Sequence, residues 1–93
     1  MSSMAAQCRD VLIKHHEYPE KVIKQLSALE VFILSECVRR RHGEIYLRDS
    51  PVVIHGEYKG QVLALTAKGL IAHEYKDGKF LCKTTEVNDG KQS

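Results

Sequence analysis

No stretch of this chain approaches the ~20 consecutive apolar residues that a membrane-spanning helix needs, so no membrane partner is expected. Residues 1–10, MSSMAAQCRD, lack the basic start and long apolar run of a secretory signal, and a cytoplasmic location is expected. The sequence holds no Gly-rich phosphate loop, no nucleophile elbow and no closely spaced carboxylate pair on a common element, which leaves catalysis without a constellation. His15, His16, His42, His55 and His73, with Cys8, Cys37 and Cys82, show neither CxxC nor HxxxH spacing. No enzyme activity, metal or cofactor is therefore expected. Three cysteines are an odd number, and each falls on an apolar face, so they read as reduced, buried thiols and not as a disulfide framework. A formal net charge of +2 neither identifies nor excludes a nucleic-acid partner.

What is present is ordinary for a small globular chain: 93 residues, 43% hydrophobic and 28% charged. One domain of that size sits near the lower limit at which a core holds a fold unaided, so dimerisation is a live expectation. Residues 1–87 read as a single domain. Asn88–Ser93 is polar, has no apolar anchor, and is expected to be a disordered tail.

Met4, Cys8, Val11 and Leu12 recur at i, i+4, i+7 and i+8, predicting a helix over about 3–15 with one apolar stripe. So small a core leaves little room to bury that stripe internally, and it is expected to form a dimer interface. Tyr18-Pro19 breaks the helix. Pro19 suits a first helical position, and Val22, Ile23 and Leu26 form a short second face. Ser27-Ala28-Leu29-Glu30 matches a capping box, in which each end residue satisfies the other's backbone N–H. The helix it starts is apolar around most of its circumference, through Leu29, Val31, Phe32, Ile33, Leu34, Cys37 and Val38. This is the expected central helix of the domain. Arg39–Arg41 complement its C-terminal dipole as solvated charges, and His42-Gly43 ends it.

Glu44–Leu47 reads as a short strand. Beyond it two readings compete. With Ser50 as N-cap and Pro51 as first helical residue, a short helix runs to about His55, and Gly56 turns the chain into the next helix. The β-branched run Val52-Val53-Ile54 instead favours a strand pairing with Ile45–Leu47. The helix is preferred, because the flanking elements are those expected around it. Val62, Leu65 and Ala67 lie among good helix formers, and Lys68-Gly69 supplies a cationic last turn and a left-handed C′ residue. From Leu70 the period becomes two. Asp77-Gly78 predicts a type I′ hairpin turn with Lys76 opposite Lys79, Tyr75 opposite Phe80 and His73 opposite Cys82. Ile71, His73, Tyr75, Phe80, Cys82 and Thr84 then share one face, expected to be buried. Lys76, Lys79 and Lys83 collect on the other side and at the tip, where a basic hairpin can touch phosphate or simply be solvated. His73 beside Cys82 is the one pair worth checking for a metal, though a packed histidine explains it more simply.

The central helix Leu26–Val38, the Val62–Ile71 stretch ending Lys68-Gly69-Leu70-Ile71, and the hairpin together resemble the winged helix-turn-helix family over about residues 27–84. The resemblance implies an α+β winged helix-turn-helix domain, here with an additional N-terminal helix and a C-terminal β-hairpin wing. It implies binding of double-stranded DNA as a homodimeric transcriptional regulator, with a recognition helix in the major groove and the wing along phosphates. Carried onto this chain, the contact residues are His55, Tyr58, Lys59 and Gln61 around the recognition helix and Lys76, Lys79 and Lys83 in the wing. The helix's outward positions are Lys59, Gly60, Leu63, Ala64 and Ala67, with Gln61 to one side, and only Lys59 and Gln61 offer the groups that base readout needs. Leu63, Ala64 and Ala67 suit a protein surface better, so the alternative is a winged-helix interaction module or inhibitor without DNA binding.

Overall fold

The computed structural model describes residues 3–42 and 50–85, in which helices precede a three-stranded antiparallel sheet closed by a C-terminal hairpin. The expected strand at 44–47, the helix end at Gly43 and the tail at 88–93 lie outside the described residues. Helix α1 (Met4–Lys14) starts on Ser3, whose hydroxyl accepts the Ala6 N–H at 3.1 Å. Helix α2 (Glu20–Lys24) follows a turn in which Glu17 takes a positive φ, and Pro19 sits one position earlier than expected, as its extended N-cap. Helix α3 (Ala28–His42) opens on the capping box: Glu30 Oε1 accepts the Ser27 N–H at 2.8 Å and Ser27 Oγ accepts the Glu30 N–H at 3.3 Å. Arg9 ties α1 to the start of α3 by donating from Nη2 to the Leu26 carbonyl at 2.8 Å.

Residues 52–55 form strand β1 (Val52–His55), which replaces the helix expected there. Three successive β-branched residues resist the helix at χ1. The hairpin of β2 (Ile71–Lys76) and β3 (Lys79–Thr84) leaves one edge of β3 for them to satisfy. β1 pairs antiparallel with β3, Val52 opposite Cys82 and His55 opposite Lys79, giving the strand order β1-β3-β2. A single 3₁₀ turn, Gly56–Tyr58, then leads into α4 (Lys59–Ala67), so one helix stands between β1 and the hairpin. The arrangement is consistent with a winged helix.

α4 ends in a Schellman motif, with Gly69 at φ 76°, its N–H on the Thr66 carbonyl and the Leu70 N–H on the Leu65 carbonyl. Asp77 and Gly78 take the positive φ values of the type I′ turn, and the β2–β3 register matches the expectation pair for pair. The shared face is buried all along central strand β3, whereas along edge strand β2 burial falls off toward the turn. Ile71, Phe80, Cys82 and Thr84 are covered, His73 is half-buried and Tyr75 is 62% exposed. β2 is an edge strand, so Tyr75 meets the Phe80 ring in a tilted contact, 5.0 Å between centroids, and stays largely in solvent.

The core lies between α3 and the inner sheet face, closed by Leu12, Ile23, Val62 and Leu65. Half of the expected dimer stripe is used in this core. Leu12 is 1% exposed inside its own chain and Cys8 packs half-buried against the same core, while Met4 and Val11 remain outside. α2 and Tyr18 fold back over α1, the Tyr18 N–H bonding the Leu12 carbonyl at 3.1 Å, and cover the Leu12 side of the helix. Among the described residues no helix is long and apolar enough to cross a membrane.

Two substitutions test this packing by urea denaturation. Leu12→Ala should cost ~2–5 kcal/mol, whereas Val11→Ala should stay within ~0.5 kcal/mol; equal losses would return Leu12 to the surface. Gly56 donates its N–H to the Gly78 carbonyl, and a Cβ at Gly56 would stand 2.5 Å from that oxygen, backbone against backbone. Gly56→Ala should therefore cost about 1–3 kcal/mol, and an unchanged midpoint would show that the hairpin tip does not rest on this turn.

Candidate nucleic-acid interface

Strand pairing assembles a row that chain order does not reveal. His55 in β1 lies opposite Lys79 in β3, and Lys79 lies opposite Lys76 in β2, so three basic side chains stand side by side across the sheet beside the turn. All three are exposed. Adjacent strands are about 4.8 Å apart, so the row spans about 10 Å, with the like charges of Lys76 and Lys79 as neighbours. Among the described residues neither Lys76 nor Lys79 has an ion pair, while His55 Nδ1 accepts the Glu57 N–H at 3.1 Å and lies 3.5 Å from Glu57 Oε1. Since Nδ1 is an acceptor here, the neutral ring carries its proton on Nε2. Lys83 is on the same outer face but four residues from Lys79, about 13 Å away, beside Ala72 at the sheet's far end. Leu81 and Val53 lie between them on that face.

The 3₁₀ turn leads into α4, whose first residues, Lys59 and Gly60, are exposed. Gln61 is half-buried, and so is Tyr58, which packs against the core. Further along, Leu63 (41% exposed) and Ala67 face solvent, with Ala64 half-buried between them. The middle of the solvent face of α4 thus presents methyl groups and a glycine. Lys68, expected as a cation of the last helical turn, stands exposed at the helix C-cap. Thr66 Oγ1 donates to the Val62 carbonyl at 2.9 Å and lies 2.7 Å from His73 Nδ1. With its one proton given to the carbonyl, the hydroxyl accepts from His73 Nδ1–H, which ties α4 to β2. His73 is thus held by Thr66 and by an edge-on contact with Phe80, although it faces Cys82 in register.

An apolar groove of about 260 Å³ runs between α3 and β1, lined by Leu29, Phe32 and Ile33 on one side and Val53, Ile54 and Tyr58 on the other. Sequence reasoning missed it because it depends on β1 being a strand beside α3.

Cys37 and Cys82 line one small void at the base of the sheet. Burial pushes the Cys37 thiol up to about 12, Cys82 and Glu36 adding to the effect and Arg40 opposing it, and burial pushes Cys82 up to about 11. Neither is a nucleophile at neutral pH. Among the described residues no group of three or more His, Cys, Asp or Glu could hold a metal. In the unfolded chain thiols ionise near ~8.5, so folding favours the protonated form. This contribution is complete below that pH and is lost as pH rises through about 11 and about 12. The urea midpoint should be flat near neutrality and fall from about pH 8.5 upward. Iodoacetamide should label half-buried Cys8 well before the other two in the native protein, as read by peptide mass spectrometry; equal rates would contradict the packing of Cys37 and Cys82.

Searches against protein families, curated proteins and solved structures find no match for this chain.

Proposed function

We propose that this domain is a small winged helix-turn-helix derivative that binds double-stranded DNA as a homodimeric transcriptional regulator in the cytoplasm, by binding alone and without catalysis. The observation carrying the reading is the exposed His55–Lys79–Lys76 row, in which the like charges of Lys76 and Lys79 repel each other and are relieved by a phosphate between them. Lys59 at the start of α4 adds a cation on the element that a winged helix lays in the major groove. The departure from the family pattern is specific: β1 and one 3₁₀ turn occupy the place of the first helix of the helix-turn-helix. Leu63, Ala64 and Ala67 offer no hydrogen bonds to base edges, so affinity comes mainly from the backbone and discrimination rests on Lys59 and Gln61.

A protein-interaction module is the second reading, and the exposure of Leu63 beside Gly60 and Ala67 favours it, because an outward leucine among small residues suits a partner's side chains better than bases.

Fluorescence anisotropy with duplex DNA over a salt series separates the two. The parent should bind with log affinity falling linearly against log salt, and Lys76→Ala with Lys79→Ala should flatten the slope by nearly two units, at ~0.9 per lost phosphate contact. Gln61→Ala should narrow the gap between preferred and random duplexes, within the ~1–3 kcal/mol of one good base contact. An unchanged slope in the double variant removes the hairpin from the interface. No duplex binding by the parent overturns the DNA reading and favours the second.

A further inference from the structure

The outer edge of β1 is open among the described residues. Bonding direction alternates along an antiparallel strand, and the Gly56 N–H is directed to Gly78 on β3. By that alternation Ile54 and Val52 bond toward β3, and Val53 turns its N–H and C=O outward, away from the sheet. Among the described residues neither group has a hydrogen-bond partner. The Val53 side chain is itself 56% exposed. Beside this edge lies the groove between β1 and α3, with Leu29 exposed and Phe32 half-buried along its wall.

We propose that this edge and groove are the surface on which a second copy of the same chain docks. An antiparallel pair centred on Val53, in which each Val53 N–H donates to the Val53 carbonyl of the other copy, maps onto itself under a two-fold axis. The two sheets become one six-stranded sheet, and the same axis lays one α3 antiparallel to the other over it. α3 runs against β1, since Arg40 Nη1 reaches the Pro51 carbonyl at one end while Leu29 and Phe32 line the groove with His55 and Tyr58 at the other. Leu29 and Phe32 of each copy then cover the other's groove. Charge agrees with this pairing: Glu36 and Arg39, an exposed pair 2.7 Å apart on α3, meet the same two residues of the other copy in reverse order, acid to base. Met4 and Val11 on α1 take no part. The interface stands whether or not the domain binds DNA.

Sedimentation velocity over a wide range of chain concentration tests it. The parent should show a concentration-dependent dimer. Val53→Pro removes only the outward N–H, which an edge strand tolerates, and should give a folded monomer by circular dichroism. Should that variant fail to fold, Val53→Lys decides: its side chain lies in solvent in the single chain but faces its own copy across the axis, and it should raise the dissociation constant about tenfold or more. Met4→Glu with Val11→Glu should dimerise as the parent does. A parent that stays monomeric throughout, a folded Val53 variant that dimerises with parental affinity, or loss of the dimer in the Met4/Val11 variant would each overturn the proposal. Anisotropy on the same samples keeps the readings apart, since a dimer that ignores duplex DNA defeats the DNA reading alone.

Discussion

β3 is hydrogen-bonded on both sides, and the rest of the molecule depends on that. Its pairing with β2 is local, closed by two residues whose positive φ matches the twist of the strands. Its pairing with β1 joins residues about 28 apart and requires α4 to complete a turn between them. Once both are made, Phe80 and Cys82 are fixed on the inner face against α3, and Lys79 is fixed on the outer face between His55 and Lys76. One strand thereby sets both the core and the cationic row. The close contact of Gly56 with Gly78 belongs to the same constraint, because it closes the β1–β3 ladder at the hairpin tip.

The helical layer meets a complementary demand. α3 supplies Val31, Leu34, Cys37 and Val38 to the core, which Leu12 of α1 and Ile23 of α2 complete. For a chain this short such closure is necessary, since a three-stranded sheet and two helices bury little surface alone. The result spends the better half of the α1 stripe internally. Among the described residues, what remains apolar and uncovered is distributed over four places: Met4 and Val11 on α1, Leu63 on α4, Tyr75 on β2, and the Leu29–Val53 rims of the groove. The last lies beside the outward-turned backbone of Val53, which makes it a candidate for a partner's strand.

Much of this was legible in the chain wherever interactions are local. The Ser27–Glu30 capping box, the Lys68-Gly69 helix end and the Asp77-Gly78 turn are short-range devices whose chemistry names their geometry, and the β2–β3 register followed from the turn alone. Lys76, Lys79 and the outward set on α4 were visible for the same reason, as were the missing hydrogen-bonding groups on that helix. Periodicity likewise found the stripe on α1, but it cannot say which of two angular neighbours faces the core; Val11 and Leu12 differ in burial because of where α2 crosses, and nothing near them encodes that crossing.

The sequence by itself determined the helices with local caps, the hairpin and its register, and the placement of charge at its tip, because each rests on contacts within a few residues. Only the tertiary structure decided that 52–55 is a strand, that Leu12 belongs to the core, that His55 joins the two lysines, and that a groove opens between α3 and β1. The physical reason is common to all four. Val52–Ile54 has the propensity of a strand and the flanks of a helix, and the balance is tipped by the free edge of β3, a partner supplied by residues about 28 positions further along the chain.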